Sequence, residues 1–591
     1  MRHRSGPDGP ADHHPLGGVG RPAVVPGWLL STAVPAPPST TSDGSSAPAF
    51  NLALVAETLG VALGDRECLV WRDRRLTYAG LAERSRRFAS FLFDRGLGLR
   101  TERSSLEGFE SGQDHLGLAL YNGNEYLEAQ TGAYRARVAP FNVNYRYVGE
   151  ELRYLLTDAA PKGLVYHASL APTLAEVLRD VPSLEVLVQV ADESGHDLLP
   201  GAVDYEAALA SGSPDGPPVQ PSPDDLYILY TGGTTGMPKG VLWRQHDIFM
   251  AAMGGRRVGV GIQLDDDEAL VDLARNGMGL RVLVLPPLMH GAAQWLVSYF
   301  MCEGGTLVFP DNPRHLDPVD VWRTIEREGI NSFSVVGDAM LRPLLDEVAK
   351  GGYDTTSLLA VGNGGAPLTP AVRERVHEVL PQVAITDTAG SSETGAQMHN
   401  VATDDTEAGR FVPVAGAVVV SEDLGQVLPP GHEGVGWLAQ RGWVPLGYLG
   451  DEAKTARTFP VVDGVRYSVP GDRARHLADG RIELLGRDSV TVNSGGEKIF
   501  VEEVEAAIAH HPAVADVVVA GRPSERWGQE VVAVVALGDG QRASAEDIVD
   551  EAAKHVARFK LPKAVIFVPA VVRSPSGKAD YRWARQQAEA G

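Results

Sequence analysis

Residues 230–241 read YTGGTTGMPKGV, and residues 226–230, LYILY, are apolar and β-prone, so the loop has a strand to emerge from. Gly232, Gly233 and Gly236 let the backbone approach an anion. Thr231, Thr234 and Thr235 add hydroxyl donors, and Lys239 supplies a cation. An ordinary turn seldom needs three Gly, three Thr and a Lys together, so the loop is expected to hold a polyphosphate. It is not a Walker A loop. That pattern has Gly before the Lys and Ser or Thr after it, whereas Pro238 precedes Lys239 and Gly240 follows.

Around this loop lies a chain of 591 residues, long enough for at least two folding units with their own cores. Hydrophobic residues at 44% and charged residues at 22% are those of a folded globular protein. A net charge of -23 argues against a nucleic-acid or anionic-membrane surface, so any bound nucleotide must meet local basic groups. Cys68 and Cys302 stand far apart without metal-ligand spacing, so neither a disulfide framework nor a zinc site is expected and a reducing cytoplasm fits. No apolar run of about 18 residues occurs, so no spanning helix is expected. Oligomeric state is left open, a homodimer included.

Residues 1–48 are rich in Pro, Gly, Ser and His, the composition of a disordered tail dispensable for chemistry. Beyond Leu52, helical patterns alternate with short apolar runs at 163–166, 186–190, 282–285 and 306–309, as in a large α/β unit with largely parallel sheets. Residues 100–114, RTERSSLEGFESGQD, read as an exposed loop before a strand at 116–121. The last hundred residues follow an α-β-β-α-β order: helical stripes at Val501, Val504 and Ile508 and at Ile548, Ala552 and Val556, and strands at 514–520, 531–537 and 564–568. This is a small α+β unit, and the boundary is placed near 486–489.

Further constellations follow the loop. In DTAGSSETG, residues 387–395, Ser391 and Ser392 precede Glu393; Ser392 can donate to a phosphate oxygen and Glu393 can hold a magnesium ion. In GNGGAPL, residues 362–368, glycines permit close approach of a flat ligand before a stiffening proline. Asp472 and Arg487 face each other across an expected hairpin, a carboxylate suited to a ribose diol beside a guanidinium, although surface pairs of this kind are common. Lys578 lies on the Ser/Pro/Gly loop RSPSGKADY near the C-terminus.

In this order and at these separations the motifs resemble the adenylate-forming (AMP-binding) superfamily of acyl-CoA synthetases, adenylation domains and luciferases, over roughly residues 52–585. YTGGTTGMPKGVLWRQ, FNVNYRYVGEELRYLL and VNSGGEKIFVEEVE look most like the actinobacterial fatty-acid and steroid side-chain CoA ligases. The resemblance implies a large N-terminal α/β domain of stacked sheets with a small β subdomain, here 49–487, and a small mobile α+β domain, here 488–591. It also implies an ATP-dependent, AMP-forming ligase acting on a hydrophobic carboxylic acid, with ATP and CoA as substrates and Mg2+ as cofactor.

By the same resemblance, the loop from Thr231 to Lys239 cradles the β- and γ-phosphates, and Thr231 and Glu393 support the metal. Gly364, Gly365 and Ala366 line adenine, Ser392 the α-phosphate, and Asp472 and Arg487 the ribose, with Ser391 also in the ATP/AMP site. Lys578 bridges carboxylate and α-phosphate in the first step. Ser494, Gly495, Gly496, Glu497 and Lys498 form the face presented to CoA in the second, and His290 stands at the acyl entrance. Residues 283–295 and 333–340 are expected to line the acyl pocket. Two positions depart from the pattern: Ala389 replaces an adenine-stacking aromatic, and Ser489 replaces the usual hinge Asp or Lys. Two other readings share the motifs, an enzyme loading a carrier-protein thiol and a non-catalytic nucleotide-binding protein. Intact Lys239, Glu393 and Lys578 weigh against the latter.

Overall fold

The computed structural model describes residues 49–232, 237–257, 262–365, 368, 370–402, 410–487, 491–538, 540–572 and 581–591. The tail, Gly233 to Gly236, Ala366, Ser489 and Lys578 lie outside the described residues.

The strand Leu226–Gly232 sits inside an eight-stranded sheet. On one side it joins a parallel block of Ala139–Asn142, His115–Ala119, Gly163–His167, Val186–Val190 and Ala202–Asp204. On the other it pairs antiparallel with Pro238–Arg244, with Gly232 opposite Pro238. The strands on either side of the glycine loop therefore pair with each other, whereas a Walker loop leads from strand to helix. Tyr227 and Trp243, register partners, are fully buried, which fixes the hairpin in the core.

A second sheet runs parallel through Glu67–Trp71, Thr306–Phe309, Arg281–Leu283, Ser332–Val335, Ala360–Gly364 and Ala384–Ser391. It continues antiparallel through Gly395–Ala402, Arg410–Pro413, Ile482–Arg487 and Asp472–His476 into a small β region. Crossover helices bury stripes such as Val321, Trp322 and Ile325 against the parallel part. The strand expected at 282–285 is instead Arg281–Leu283, because Pro286 and Pro287 lack amide protons and bias Leu285 away from a continued ladder. The strand expected at 116–121 is His115–Ala119.

The loop at 100–114 is more fixed than an exposed loop. Leu99 and Gln113 form a β-bridge, Glu102 pairs with Arg137, and the Gly450 amide donates to the Phe109 carbonyl at 2.8 Å.

The C-terminal unit follows the expected α-β-β-α-β order, preceded by a hairpin and followed by the helix Tyr581–Ala590. Its strand Val514–Ser524 shows the two-residue period of a sheet buried on both faces. Val517 and Val519 pack under the helices Val501–Ala509 and Ala545–Ala552, while Val518 and Ala520 pack against Ala584 and Ala588.

Candidate active site

The mouth of the glycine hairpin is braced from below. The Asn142 amide donates to the Tyr230 carbonyl at 2.8 Å and to the Met289 carbonyl at 2.7 Å, and its oxygen accepts the Tyr230 N–H. The Tyr230 hydroxyl donates to Asp158 at 2.7 Å. Thr231 and Lys239 are register partners, so hydroxyl and cation emerge together. Lys239 Nζ lies 3.2 Å from Asp451 Oδ2. Burial opposes its charge, but Tyr154, Asp451 and Asp158 outweigh burial and hold its pKa above the ordinary lysine value.

Glu393 is buried at 9% exposure, and both carboxylate oxygens are oriented: Oε1 accepts from the Tyr448 hydroxyl at 2.7 Å and Oε2 from Ser392 Oγ at 3.1 Å. Its carbonyl accepts from Ser468 Oγ at 2.6 Å. The turn itself is tied by Thr394, whose hydroxyl accepts from the Ser391 amide at 2.9 Å. Trp243 Nε1 donates to the Ser392 carbonyl at 2.8 Å, which fastens the serine turn to the strand leaving the glycine loop.

Tyr448 arrives on the edge strand Gly447–Tyr448, paired with Val241, and Asp451 caps the following helix Glu452–Thr458. Lys454 on that helix lies 4.1 Å from the centre of the Tyr448 ring, and burial holds its pKa below the ordinary value. Asn142, Tyr448, Asp451, Lys454 and Ser468 were not anticipated. The one available signal was GYLGD at 447–451, an apolar run ending in Gly and a helix-capping Asp.

Behind the serine turn, Asp387 is a structural anchor. It accepts from the Asn363 amide at 2.8 Å and pairs with Arg373 at 2.5 Å, all three being buried. Asn363 also accepts from the Gly337 amide at 2.9 Å, so one network sets both GNGGAPL and DTAGSSETG. Gly364 is in register with Thr388, and Gly365 turns the chain at φ 80°, in the left-handed region. Ala389, opposite Met398, packs at the edge of the core around Val419. Asp472 and Arg487 are direct register partners in the expected hairpin.

The segment from Ser494 to Glu497 forms a two-residue hairpin in which Gly495 and Gly496 both have positive φ, 59° and 83°. The hairpin is turned toward the large unit. Glu497 is paired with Arg146 and lies 3.3 Å from His290 Nε2. Burial would raise the Glu497 pKa, but His290, Arg146 and Lys560 overcome it and hold it at about 2. His290 precedes the helix Gly291–Cys302 and thus connects the expected acyl entrance with the glycine hairpin. Within that region Leu283, Leu285, Leu288 and Met289 are buried.

An oriented buried carboxylate, a lysine held in its charged form and a second unit whose hairpin meets Arg146 and His290 are the parts of an enzyme site. The chain belongs to the AMP-binding enzyme family: the family model matches residues 60–449, and that of the AMP-binding enzyme C-terminal domain matches residues 503–578. It is 61% identical to the medium-chain acyl-CoA ligase Mig of Mycobacterium avium over 544 residues, covering 92% of this chain and 99% of that protein. It is 39% identical to the 3-oxocholest-4-en-26-oate–CoA ligase of Rhodococcus rhodochrous, covering 91% of this chain and 96% of that one. Among solved structures, the amide bond synthetase McbA of Marinactinospora thermotolerans shares the fold at TM-score 0.73 and 22% identity, covering 90% of this chain and 99% of that one. A Mycobacterium tuberculosis fatty acyl CoA synthetase does so at 0.62 and 23%, covering 91% and 98%.

Proposed function

We propose that this protein is an ATP-dependent, AMP-forming acyl-CoA synthetase for hydrophobic carboxylic acids, of medium-to-long fatty or steroid side-chain type. The observation that carries the reading is that one segment, Tyr448 to Asp451, holds both Glu393 and Lys239 while the Glu497 hairpin docks on Arg146 and His290, within a chain similar over nearly its whole length to acyl-CoA ligases. The acid class draws on the names of those relatives.

A carboxylate is repelled by ATP, so the phosphates must be neutralised and the attack oriented. Lys239, kept charged by Asp451 and Asp158, grips the pyrophosphate end together with the glycine loop. The acid oxygen attacks the α-phosphorus and the bond to pyrophosphate breaks. The CoA sulfur, losing its proton, then attacks the acyl carbon and AMP departs. Ser392 serves the α-phosphate, Gly364, Gly365 and Ala366 adenine, and Asp472 and Arg487 the ribose, with Ser391 also in the ATP/AMP site. Lys578 bridges carboxylate and phosphate in the first step. The segment 494–498 lines the CoA path in the second, with His290 at the junction.

Among the described residues no three His, Cys, Asp or Glu side chains gather into a metal cage. One oriented carboxylate suits an ion that takes its remaining ligands from phosphates and water, so Glu393 with Thr231 fits Mg2+, whose charge would offset that of ATP. We take the domain limits to be 49–487 and 488–591, with Ser489 at the hinge position. A cytoplasmic setting fits the two buried free thiols, Cys68 and Cys302.

The test is a panel of fatty, aromatic and steroid acids with ATP, Mg2+ and CoA, following AMP release. Fatty or steroid acyl-CoA is the expected product. Acylation of a carrier protein without acyl-CoA, or absence of ATP–pyrophosphate exchange across the panel, would overturn the reading.

A further inference from the structure

The small unit meets the large one through more than its glycine hairpin. A short stretch of the large unit, Arg146 to Glu151, receives a row of side chains from it. Arg146 takes Glu497, Tyr147 lies 4.8 Å from Lys560 Nζ, Glu151 is ion-paired with Lys560, and Glu150 lies 3.5 Å from His555 Nδ1. His555 is itself held, with Glu551 3.3 Å from its Nε2 and the His510 ring stacked on it at 4.0 Å. Gly149, at φ 48°, bends the chain into the helix Gly149–Ala159, whose first turn carries both glutamates.

The Lys560–Glu151 pair differs in kind from the surface ion pairs elsewhere. Both residues are 3% exposed, although they belong to different units and lie 409 positions apart. Lys560 is presented by the turn Arg558–Lys560, and its ammonium sits between the Tyr147 and Phe559 rings, 4.8 and 5.6 Å from their centres. A buried ammonium without its carboxylate is strongly unfavourable, and so is the carboxylate alone. Together in this socket they nearly cancel their desolvation, and apart in water each is hydrated. Such a pair adds little net binding, so the units can part, yet it penalises docking in any other register. The surface pair Lys162–Glu185, half exposed, has no such selectivity.

We propose that Lys560 and Glu151, with His555 and Glu150 at the rim, form a register lock that selects the orientation of the small unit in which the Ser494–Glu497 hairpin enters the cleft. They are positioning residues for the thioester-forming step. This rests on the function proposed above.

The test measures acyl-adenylate formation and thioester formation from supplied acyl-adenylate separately in Lys560→Met, Glu151→Gln, Lys560→Arg and the exchanged pair Glu151→Lys with Lys560→Glu. Loss of a buried partner is expected to slow the second half-reaction roughly 10- to 100-fold and leave the first within about twofold. The exchanged pair recovers much of the loss, and Lys560→Arg retains most of the rate. Equal loss in both half-reactions, no loss in the second, or no recovery on exchange would overturn the lock.

Hydrogen exchange needs no substrate. Either single neutral variant is expected to raise exchange in both Gly149–Ala159 and Arg558–Lys560, and a rise confined to the mutated segment would overturn the proposal. Inactivity of the wild type toward every acid would overturn the functional reading, while the exchange result would still decide the lock.

Discussion

Glu393 owes its place to neighbours from three parts of the chain: Ser392 beside it, Tyr448 on an edge strand and Ser468 at the end of the strand Val465–Ser468. The Tyr448 hydroxyl bond reaches a buried carboxylate, and such bonds contribute about 1.5–3 kcal/mol. Tyr448→Phe is therefore expected to slow acyl-adenylate formation by about tenfold or more. ATP–pyrophosphate exchange checks this, and an unchanged rate would show that Glu393 needs no such support. Glu497 carries the pH prediction. Its folded pKa, about 2, lies below the ordinary 4.5, so its contribution to docking is fully present above 4.5 and is lost as pH falls toward 2. Interdomain exchange protection that depends on Glu497 should thus weaken as pH falls from about 4.5 toward 2; protection unchanged through that acid range would contradict the assignment. At this scale the motifs gave Lys239, Glu393 and Glu497 directly, because backbone glycines and clustered polar residues leave a local trace. Tyr448 and Lys454 leave only the faint signal of GYLGD at 447–451, since their role comes from the segment that lies beside Val241.

Elements set the reach of these residues. The turn at Gly495 and Gly496 needs positive φ twice, and a Cβ on Gly496 would stand 2.6 Å from Val336 Cγ1 of the large unit. Gly496→Ala combines that clash with a left-handed penalty of roughly 1–2 kcal/mol. It is expected to suppress thioester formation while acyl-adenylate formation persists, as single-turnover assays of the two steps would reveal. Comparable loss in both would place the turn's role elsewhere. The alternating burial of Val517, Val518, Val519 and Ala520 was legible as a strand, but its length was not. The strand runs on to Ser524 because Gly528–Leu537 pairs with it throughout, and pairing leaves no periodic mark at Arg522 or Pro523. Conversely, the apolar run at 282–285 outlasts its strand, since Pro286 and Pro287 end the ladder before hydrophobicity ends.

For the whole molecule, the two half-reactions of the proposed function make competing demands on the placement of the small unit. The hairpin of the small unit occupies one approach through Glu497, Arg146 and His290. Lys578→Ala is expected to lower acyl-adenylate formation by about 10² or more while largely sparing thioester formation from supplied acyl-adenylate. Equal loss in both steps would remove its assigned role. The sequence by itself determined the class of chemistry, the order of the motifs and the presence of two folding units, because glycine content, polar clustering and apolar periodicity are local properties of the chain. Only the tertiary structure decided that the strands flanking the glycine loop pair with each other, that Tyr448 orients Glu393, and that Lys560 is buried against Glu151. Those facts depend on which distant segments share a sheet or an interface, and the energies that select them arise from desolvation and packing between residues hundreds of positions apart.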